Sequence, residues 1–219
     1  MHISEGVLPV GWAVVWYSVS VPFLVAGLSE IQRKKKANPM YVVLASIAGS
    51  AVFVFSLFPV PIPIVGTCSH PAGTGLSTLL LGPFVSIVVA FSALLIQALF
   101  LAHGGISTLG ANTVAMGIVG SFSAFLFYKL ARGLKLPIFV SALIAGAAAD
   151  IFTYLTTSVI LALALHGTTP VSTVAGSIFI AFLPTQIPLA VLEGLVIAGI
   201  IVYVKKNRPD ILENTGIVR

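Results

Sequence analysis

Met1 and His2, the first two residues of this chain, carry three nitrogen atoms that can bind one metal ion together. Binding through the terminal amine, the His2 amide and the His2 imidazole closes a five-membered and then a six-membered chelate ring. The three nitrogens then lie in one plane. A fourth nitrogen would complete a square, and such a set favours Ni(II) or Cu(II) over tetrahedral zinc or oxygen-bound magnesium. All these donors must lose or lack a proton, so we expect metal binding to release protons and to fail in acid.

A histidine at position two is by itself more often incidental, so the rest of the chain has to support the site. That chain is strongly apolar: hydrophobic residues make up 58% of its 219 residues and charged residues 8%, and its mean hydropathy is +1.12. These values exclude an ordinary soluble globular domain. The apolar stretches are too long and regular for the strands of a membrane β-barrel. We therefore predict an all-α fold, a polytopic membrane helical bundle that forms a single integral membrane domain over residues 1–219.

Seven apolar segments follow one another, and no soluble domain or repeat separates them. They cover residues 9–31, 39–58, 75–82, 84–102, 109–131, 137–165 and 172–205. The third would rise only about 12 Å as a helix, too little to cross about 30 Å of hydrocarbon. We therefore predict about seven transmembrane helices, of which one is short and re-entrant. Residues 59–82 dip into the bundle, Gly82 and Pro83 break the chain, and the helix 84–102 returns outward.

Three clusters of basic residues set the orientation. They lie within residues 33–36, 129–135 and 205–208, and the positive-inside rule places them in the cytoplasm. The N-terminus is then outside and the C-terminus cytoplasmic, in a multi-pass protein of the cell's inner (plasma) membrane. The net charge of +5 comes from these few clusters, which serve better as topology markers than as a nucleic-acid footprint.

The same topology brings every histidine of the chain to the outer face, namely His2, His70, His103 and His166. The start of the chain has no Lys or Arg and no signal-peptide cleavage site, and the bulky His2 disfavours removal of Met1. We therefore expect a free Met1 amine and an N-terminal metal-binding segment of residues 1–8.

His70 is the best fourth ligand, because it shares the outer side with His2 and lies in a stiff loop. This His-bearing loop, residues 59–75, contains four prolines and three glycines, and such rigidity suits a preformed ligand position. An ordinary interhelical connector is the alternative. Polar neighbours could accept the second N–H of an imidazole and fix its orientation; the candidates are Ser4, Glu5, Thr67, Ser69 and Asn112.

Other groups that could bind metal have less specific surroundings. His103 could orient a ligand, bind the metal, act as a gate or be interfacial, and we favour the interfacial interpretation; His166 fits a helix end. Cys68, the only cysteine, could bind metal as a thiolate but fits a small buried residue better. Three polar residues lie within predicted helices and serve either function or hydrogen bonding between helices: Asp150, Gln186 and Glu193.

Five motifs occur in order along most of the chain: MHISEGVLP, GTCSHPAGTG, HGGISTLGAN, AAADIFTYLTTS and PTQIPLAVLEG. Together they resemble the CbiM/NikM family, the substrate-binding (S) membrane subunits of energy-coupling factor (ECF) transporters for cobalt and nickel. The resemblance implies a seven-helix transition-metal uptake component whose N-terminus is inserted into the bundle. It also implies Met1, His2 and His70 as the metal ligands in a near-planar nitrogen site.

The resemblance further implies partners: a transmembrane coupling (T) subunit, two ATPase (A) subunits and often a small accessory membrane subunit, which we expect to be separate or absent. No G-x-x-x-x-G-K-[ST] motif occurs in the sequence, so we expect this chain not to be an enzyme and its partners to hydrolyse ATP. Small residues four positions apart allow close approach of a partner helix, with packing inside the bundle as the alternative: Ala45 with Gly49, Ser46 with Ser50, and Ala145 with Ala149.

These expectations combine into a leading hypothesis and two alternatives. The leading hypothesis is a membrane subunit that captures Ni(II) or Co(II) as its transported substrate, with nickel favoured on geometry and without an organic cofactor. The first alternative is an intramembrane metalloenzyme, in which Asp150 or Glu193 acts as acid or base beside the same histidines. The second is a metal-independent solute carrier or membrane scaffold, in which His2 and His70 are incidental.

Overall fold

The computed structural model describes residues 2–58, 60–61 and 67–213. Met1 and parts of the predicted His-bearing loop 59–75 lie outside the described residues. The helices in chain order are α1 (Val10–Ala37), α2 (Met40–Phe55), α3 (Thr74–Leu81), α4 (Pro83–Phe100), α5 (Leu109–Asn112), α6 (Ser121–Gly133), α7 (Ile138–Leu165), α8 (Val171–Asn207) and α9 (Pro209–Glu213). A π-helical segment, Thr113–Gly120, joins α5 to α6. Two-residue strands, β1 (Val60–Pro61) and β2 (Cys68–Ser69), pair antiparallel.

Within the described residues, five helices are long and apolar enough to cross a membrane: α1, α4, the continuous helix Leu109–Gly133, α7 and α8. α2 is a shorter apolar helix of 16 residues. The prediction of an all-α membrane bundle is confirmed, and each predicted apolar segment corresponds to a helix. The largest shift is in α1, which continues to Ala37 and not only to residue 31. Lysine is a good helix former, and its charge is favourable in the last helical turn.

Prolines mark where the long helices begin. Pro9, Pro39, Pro137 and Pro170 directly precede α1, α2, α7 and α8, and α4 begins with Pro83 itself. Proline has no N–H to leave unpaired, and it disfavours helical geometry in the residue before it. These helix starts are therefore encoded locally.

α3 is the short re-entrant helix, and all eight of its residues are buried. It lies between Gly73 and Gly82, whose φ angles of +73° and +95° favour glycine. At its end, the Leu81 carbonyl accepts hydrogen bonds from Lys34 Nζ (3.0 Å) and Tyr41 Oη (2.9 Å). α3 therefore reaches the basic end of α1, and α4 leads the chain back.

Glycines let α3, α7 and α8 pack closely. A Cβ at Gly75 would lie 2.9 Å from Gly146 Cα, and a Cβ at Gly194 would lie 2.6 Å from the Leu143 carbonyl oxygen. That oxygen belongs to the backbone of α7, which cannot rotate away as a side chain can. The tight α7–α8 pair forms the wall against which the loop before α3 is held.

We expect Gly194→Ala to lower the free energy of unfolding by about 1–3 kcal/mol, because the added methyl group overlaps backbone. The measurement is thermal unfolding of the purified protein in detergent. Gly199→Ala in the same helix is the matched control, since a Cβ there meets no atom within 4 Å, and it should be neutral or slightly stabilising. Equal melting temperatures for the two variants would contradict the packing described for α7 and α8.

Candidate metal centre

The N-terminal segment lies inside the bundle as an extra, non-helical element. His2 is 1% exposed and Ile3 0%. Asn112 pairs with both backbone groups of Ile3: its Oδ1 accepts from Ile3 N (2.9 Å) and its Nδ2 donates to Ile3 O (3.2 Å). Thr108 Oγ1 also donates to Ile3 O, at 2.6 Å. Buried backbone groups need such partners, so these contacts fix the direction in which His2 enters the bundle.

The turn after α4 closes over this segment. Gly104 has φ +83°, and a Cβ at Gly105 would lie 2.6 Å from Glu5 Cα. The positive φ favours glycine at position 104, and the close passage of the Glu5 backbone requires glycine at position 105. Ser107 N donates to Glu5 Oε2 at 3.0 Å, and hydrogen bonding from Ser107 holds the pKa of Glu5 below its ordinary value.

Tyr154 holds the backbone of His70, and Pro71 holds its side chain. Its amide donates to Tyr154 Oη (2.7 Å), and the same hydroxyl donates to His70 O (2.9 Å). His70 Nδ1 donates to the Pro71 carbonyl oxygen at 2.8 Å. The tautomer assigned by this bond leaves the lone pair on Nε2.

The two buried imidazoles face each other through nitrogen atoms. His2 Nδ1 lies 2.6 Å from His70 Nε2, and the ring centroids are 4.5 Å apart. Two nitrogens that bind one ion at about 2.0 Å lie about 2.8 Å apart at a right angle and about 3.3 Å apart at a tetrahedral angle. The observed separation is therefore closer to neighbouring corners of a square. Nδ1 is also the His2 nitrogen that a six-membered ring with the His2 amide requires.

The environment keeps both imidazoles neutral. Burial lowers the pKa of His2 well below its ordinary value, and the neighbouring His70 lowers it further. Burial is also the main reason that the pKa of His70 lies well below the ordinary value. A neutral imidazole offers a lone pair, so the site is in the protonation state that metal binding needs.

Cys68 and His103 lie beside this pair. Cys68 Sγ is 3.0 Å from His103 Nε2, and the centroids of the His103 and His2 rings are 4.1 Å apart. One donor atom from each of four residues lies within 4.8 Å of the others: His2, Cys68, His70 and His103. Both Cys68 and His103 are only partly buried, and the structure places them beside His2 and His70. Cys68 is therefore not a fully buried small residue.

Three of the polar residues predicted to orient the imidazoles bond other groups. Asn112 and Glu5 hold the N-terminal segment, and Ser69 Oγ bonds Thr185 Oγ1 at 3.1 Å and accepts from Gln186 Nε2. The backbone of Ser4 accepts from Val7 N at 3.4 Å. The acceptor for the His70 N–H is the Pro71 carbonyl, a backbone group that composition does not reveal.

The three intramembrane polar residues differ in role. Both oxygens of Glu193 accept backbone bonds before α3, from Ala72 N and Gly73 N, each at 2.7 Å. Gln186 holds Ser69, so these two residues act through hydrogen bonds. Asp150 is fully buried, and within the described residues its carboxylate has no hydrogen-bond partner. His166 lies at the end of α7, as predicted, where Nδ1 donates to Thr169 O at 3.1 Å.

The candidate docking residues separate into two kinds. Ala145 and Ala149 are completely buried within the bundle, so a partner helix does not reach them and the packing interpretation holds. Ala45, Gly49, Ser46 and Ser50 instead line a groove between α2 and α4. The groove is lined almost entirely by apolar and small residues, a surface that suits helix contact in a membrane.

Comparison with known proteins finds a matching family and similar relatives. A family described as "Cobalt uptake substrate-specific transmembrane region", CbiM, matches residues 2–211. The cobalt transport protein CbiM of Geobacter sulfurreducens is 46% identical over 218 residues, which cover 100% of this chain and 63% of that protein. The corresponding protein of Sorangium cellulosum is 43% identical over 219 residues, covering 100% of this chain and 97% of the relative. The chain thus spans less than two thirds of the first relative and nearly all of the second.

Solved structures show the same architecture. A truncated transition metal transporter superimposes with a TM-score of 0.83 at 28% identity, covering 94% of this chain and 99% of that one. The S-component for biotin from an ECF-type ABC transporter superimposes with a TM-score of 0.58 at 16% identity, covering 76% of this chain and 93% of that one. The second likeness shows that the fold is shared.

We expect Asn112→Ala to loosen the N-terminal segment, because the Ile3 N–H is then buried without its partner, at a cost of about 1–3 kcal/mol. Amide hydrogen exchange of Ile3 should accelerate by about tenfold or more. Asn207→Ala is the control, since Asn207 is an exposed asparagine at the C-terminal end of α8. Unchanged exchange in Asn112→Ala would show that Asn112 does not hold the segment.

Proposed function

The chain belongs to the CbiM family of cobalt-uptake transmembrane regions, and from this membership we propose that it is the substrate-binding subunit of an ECF-type transporter that captures Co(II) or Ni(II). The observation that carries the proposal is the buried contact of 2.6 Å between His2 Nδ1 and His70 Nε2. Transport is the family's role, and neither the fold nor the site calls for an enzymatic step. The ion is the substrate, and the chain supplies its ligands.

The ligand set that we propose consists of the Met1 amine, the His2 amide and imidazole, and His70 Nε2. Its support is the depth of the N-terminal segment and the direction in which His2 Nδ1 points. Four nitrogens near the corners of a square suit nickel in particular. Cobalt transport is the activity named for the relatives, and the same nitrogen donors bind Co(II).

The orientation that we propose has the metal centre outside and the basic ends in the cytoplasm. Lys34, Lys35 and Lys36 lie in the last turn of α1, Arg132 in that of α6, and Lys205 and Lys206 in that of α8. The contact of Lys34 with Leu81 places the far end of α3 at this basic side. The positive-inside rule then assigns that side to the cytoplasm.

Energy for release comes, in this proposal, from a T subunit and two A subunits, with a small accessory membrane subunit as a further partner. The groove that includes Ala45 and Gly49 is the proposed contact for a helix of the T subunit. Its small residues allow two backbones to approach closely in lipid.

The metalloenzyme alternative would need a carboxylate free to act at the metal. Glu193, one of the two acids named for this alternative, is occupied by backbone N–H groups. The other, Asp150, lies outside the cluster of potential ligand atoms. The alternative in which His2 and His70 are incidental leaves unexplained why four potential ligands converge beside the N-terminal segment. Metal capture accounts for both features.

We expect an N-terminal extension to abolish the chelate, because it moves the terminal amine away from His2. Four glycine and serine residues placed before Met1 should weaken Ni(II) binding by about 100-fold or more, as judged by titration of the detergent-purified protein. A one-residue extension is unsuitable, since it puts the histidine third and creates a different amine–imidazole chelate. The same four residues added after Arg219 are the control, and equal affinity of the two proteins would refute the chelate.

We also expect the Ni(II) complex to be diamagnetic, because four nitrogens in a plane impose the low-spin state. The measurement is magnetic susceptibility in solution, with free Ni(II) as the paramagnetic reference. A paramagnetic complex with a bound water would instead support the metalloenzyme alternative, which needs an open coordination position.

A further inference from the structure

Cys68 and His103 form a pair that the proposed ligand set does not use. Both are partly exposed, whereas His2 and His70 are 1% and 0% exposed. The exposed pair therefore lies between solvent and the buried pair. Since all four donor atoms are within 4.8 Å of one another, an ion that enters on this side meets the thiol and the outer imidazole first.

We propose that Cys68 and His103 form a capture position, which binds the incoming ion first and passes it to His2 and His70. This inference rests on the proposed function and adds an order of events to it. The Cys68 thiol loses its proton to solvent when it binds the ion and regains one when the ion moves on.

The geometry of the pair suits an ion as it stands. Sulfur and nitrogen that bind one ion at about 2.3 and 2.0 Å lie about 3.0 Å apart at a right angle and about 3.5 Å apart at a tetrahedral angle. The distance from Cys68 Sγ to His103 Nε2 is 3.0 Å. Both side chains can therefore bind the same ion with little movement.

The backbone keeps the pair in place. His103 lies between Ala102 and Gly104, whose φ angles are +49° and +83°, and its amide donates to Gln97 O at 3.2 Å. Cys68 belongs to β2 and pairs with Pro61 of β1. The two donors thus come from separate elements, the strand β2 and the turn after α4.

Short distances allow the ion to move without returning to water. The His103 and His2 rings are 4.1 Å apart, so a nitrogen of the inner site can bind before the thiolate leaves. The inner chelate also requires the His2 amide to lose its proton, a slow step during which the outer pair retains the ion. A thiolate accepts several soft metals, so selection remains with the inner nitrogens.

The test is rapid mixing of the untagged, detergent-purified protein with Co(II), followed by near-ultraviolet absorbance from thiolate-to-cobalt charge transfer. We expect this band to rise and then decay in the wild-type protein. Cys68→Ser and His103→Gln should each slow association by about tenfold or more. His166→Gln, which alters a histidine outside the cluster, should associate at the wild-type rate.

The outcomes separate the two proposals. A band that persists at equilibrium would make Cys68 a permanent ligand and overturn the transfer. Wild-type binding with no band and with unchanged rates in both variants would also overturn it, while leaving the proposed function intact. If the wild-type protein binds no ion even after long incubation, the proposed function itself fails. Because the transient band is measured in the wild type, it does not depend on how well a variant folds.

Discussion

The paired hydrogen bonds between Asn112 and Ile3 are the constraint on which the metal centre depends. A chain end carries polar groups, and in an apolar bundle each of them must find a partner. Asn112 supplies one donor and one acceptor, as a neighbouring strand would, and Thr108 supplies a second donor. The segment can therefore be buried at a fixed depth. The position of His2 relative to His70 follows from that depth, because His70 is fixed independently by Tyr154.

The position of the loop that carries His70 depends on how the short helix α3 is held inside the bundle. α3 exposes no residue, and its ends lie within the bundle. Glu193 accepts hydrogen bonds from the N–H groups just before the first turn of α3. Lys34 and Tyr41 donate to the last carbonyl of α3. A negative charge at the start and a positive charge at the end both complement the helix dipole. These contacts hold the loop that carries His70 against α8, while α3 leads to the basic end of α1.

Much of this arrangement follows from local sequence, and the remainder depends on contacts between distant residues. Apolar length and proline position predict the helices, and the shortness of segment 75–82 predicts the re-entrant helix. The pairing of His2 with His70 follows from topology combined with chelate geometry. The proximity of Cys68 and His103 to His2 and His70 was not predicted, because it depends on where β2 meets the turn after α4. The π-helical segment Thr113–Gly120 and the bonds of Glu193 to the loop before α3 also have no local signal, since both arise from packing between elements far apart in sequence.

The bond between Ile3 and Asn112 joins residues that are 109 positions apart. During biosynthesis the N-terminal segment leaves the ribosome first, but its partner is made only when half of the chain has been translated. The segment must then wait, unpaired, until the helix that begins at Leu109 has entered the membrane. This early part of the polypeptide therefore reaches its final place only after its partner has been made. A partly inserted bundle has no assembled metal centre, and only a protein that has completed the docking step is competent to trap an ion.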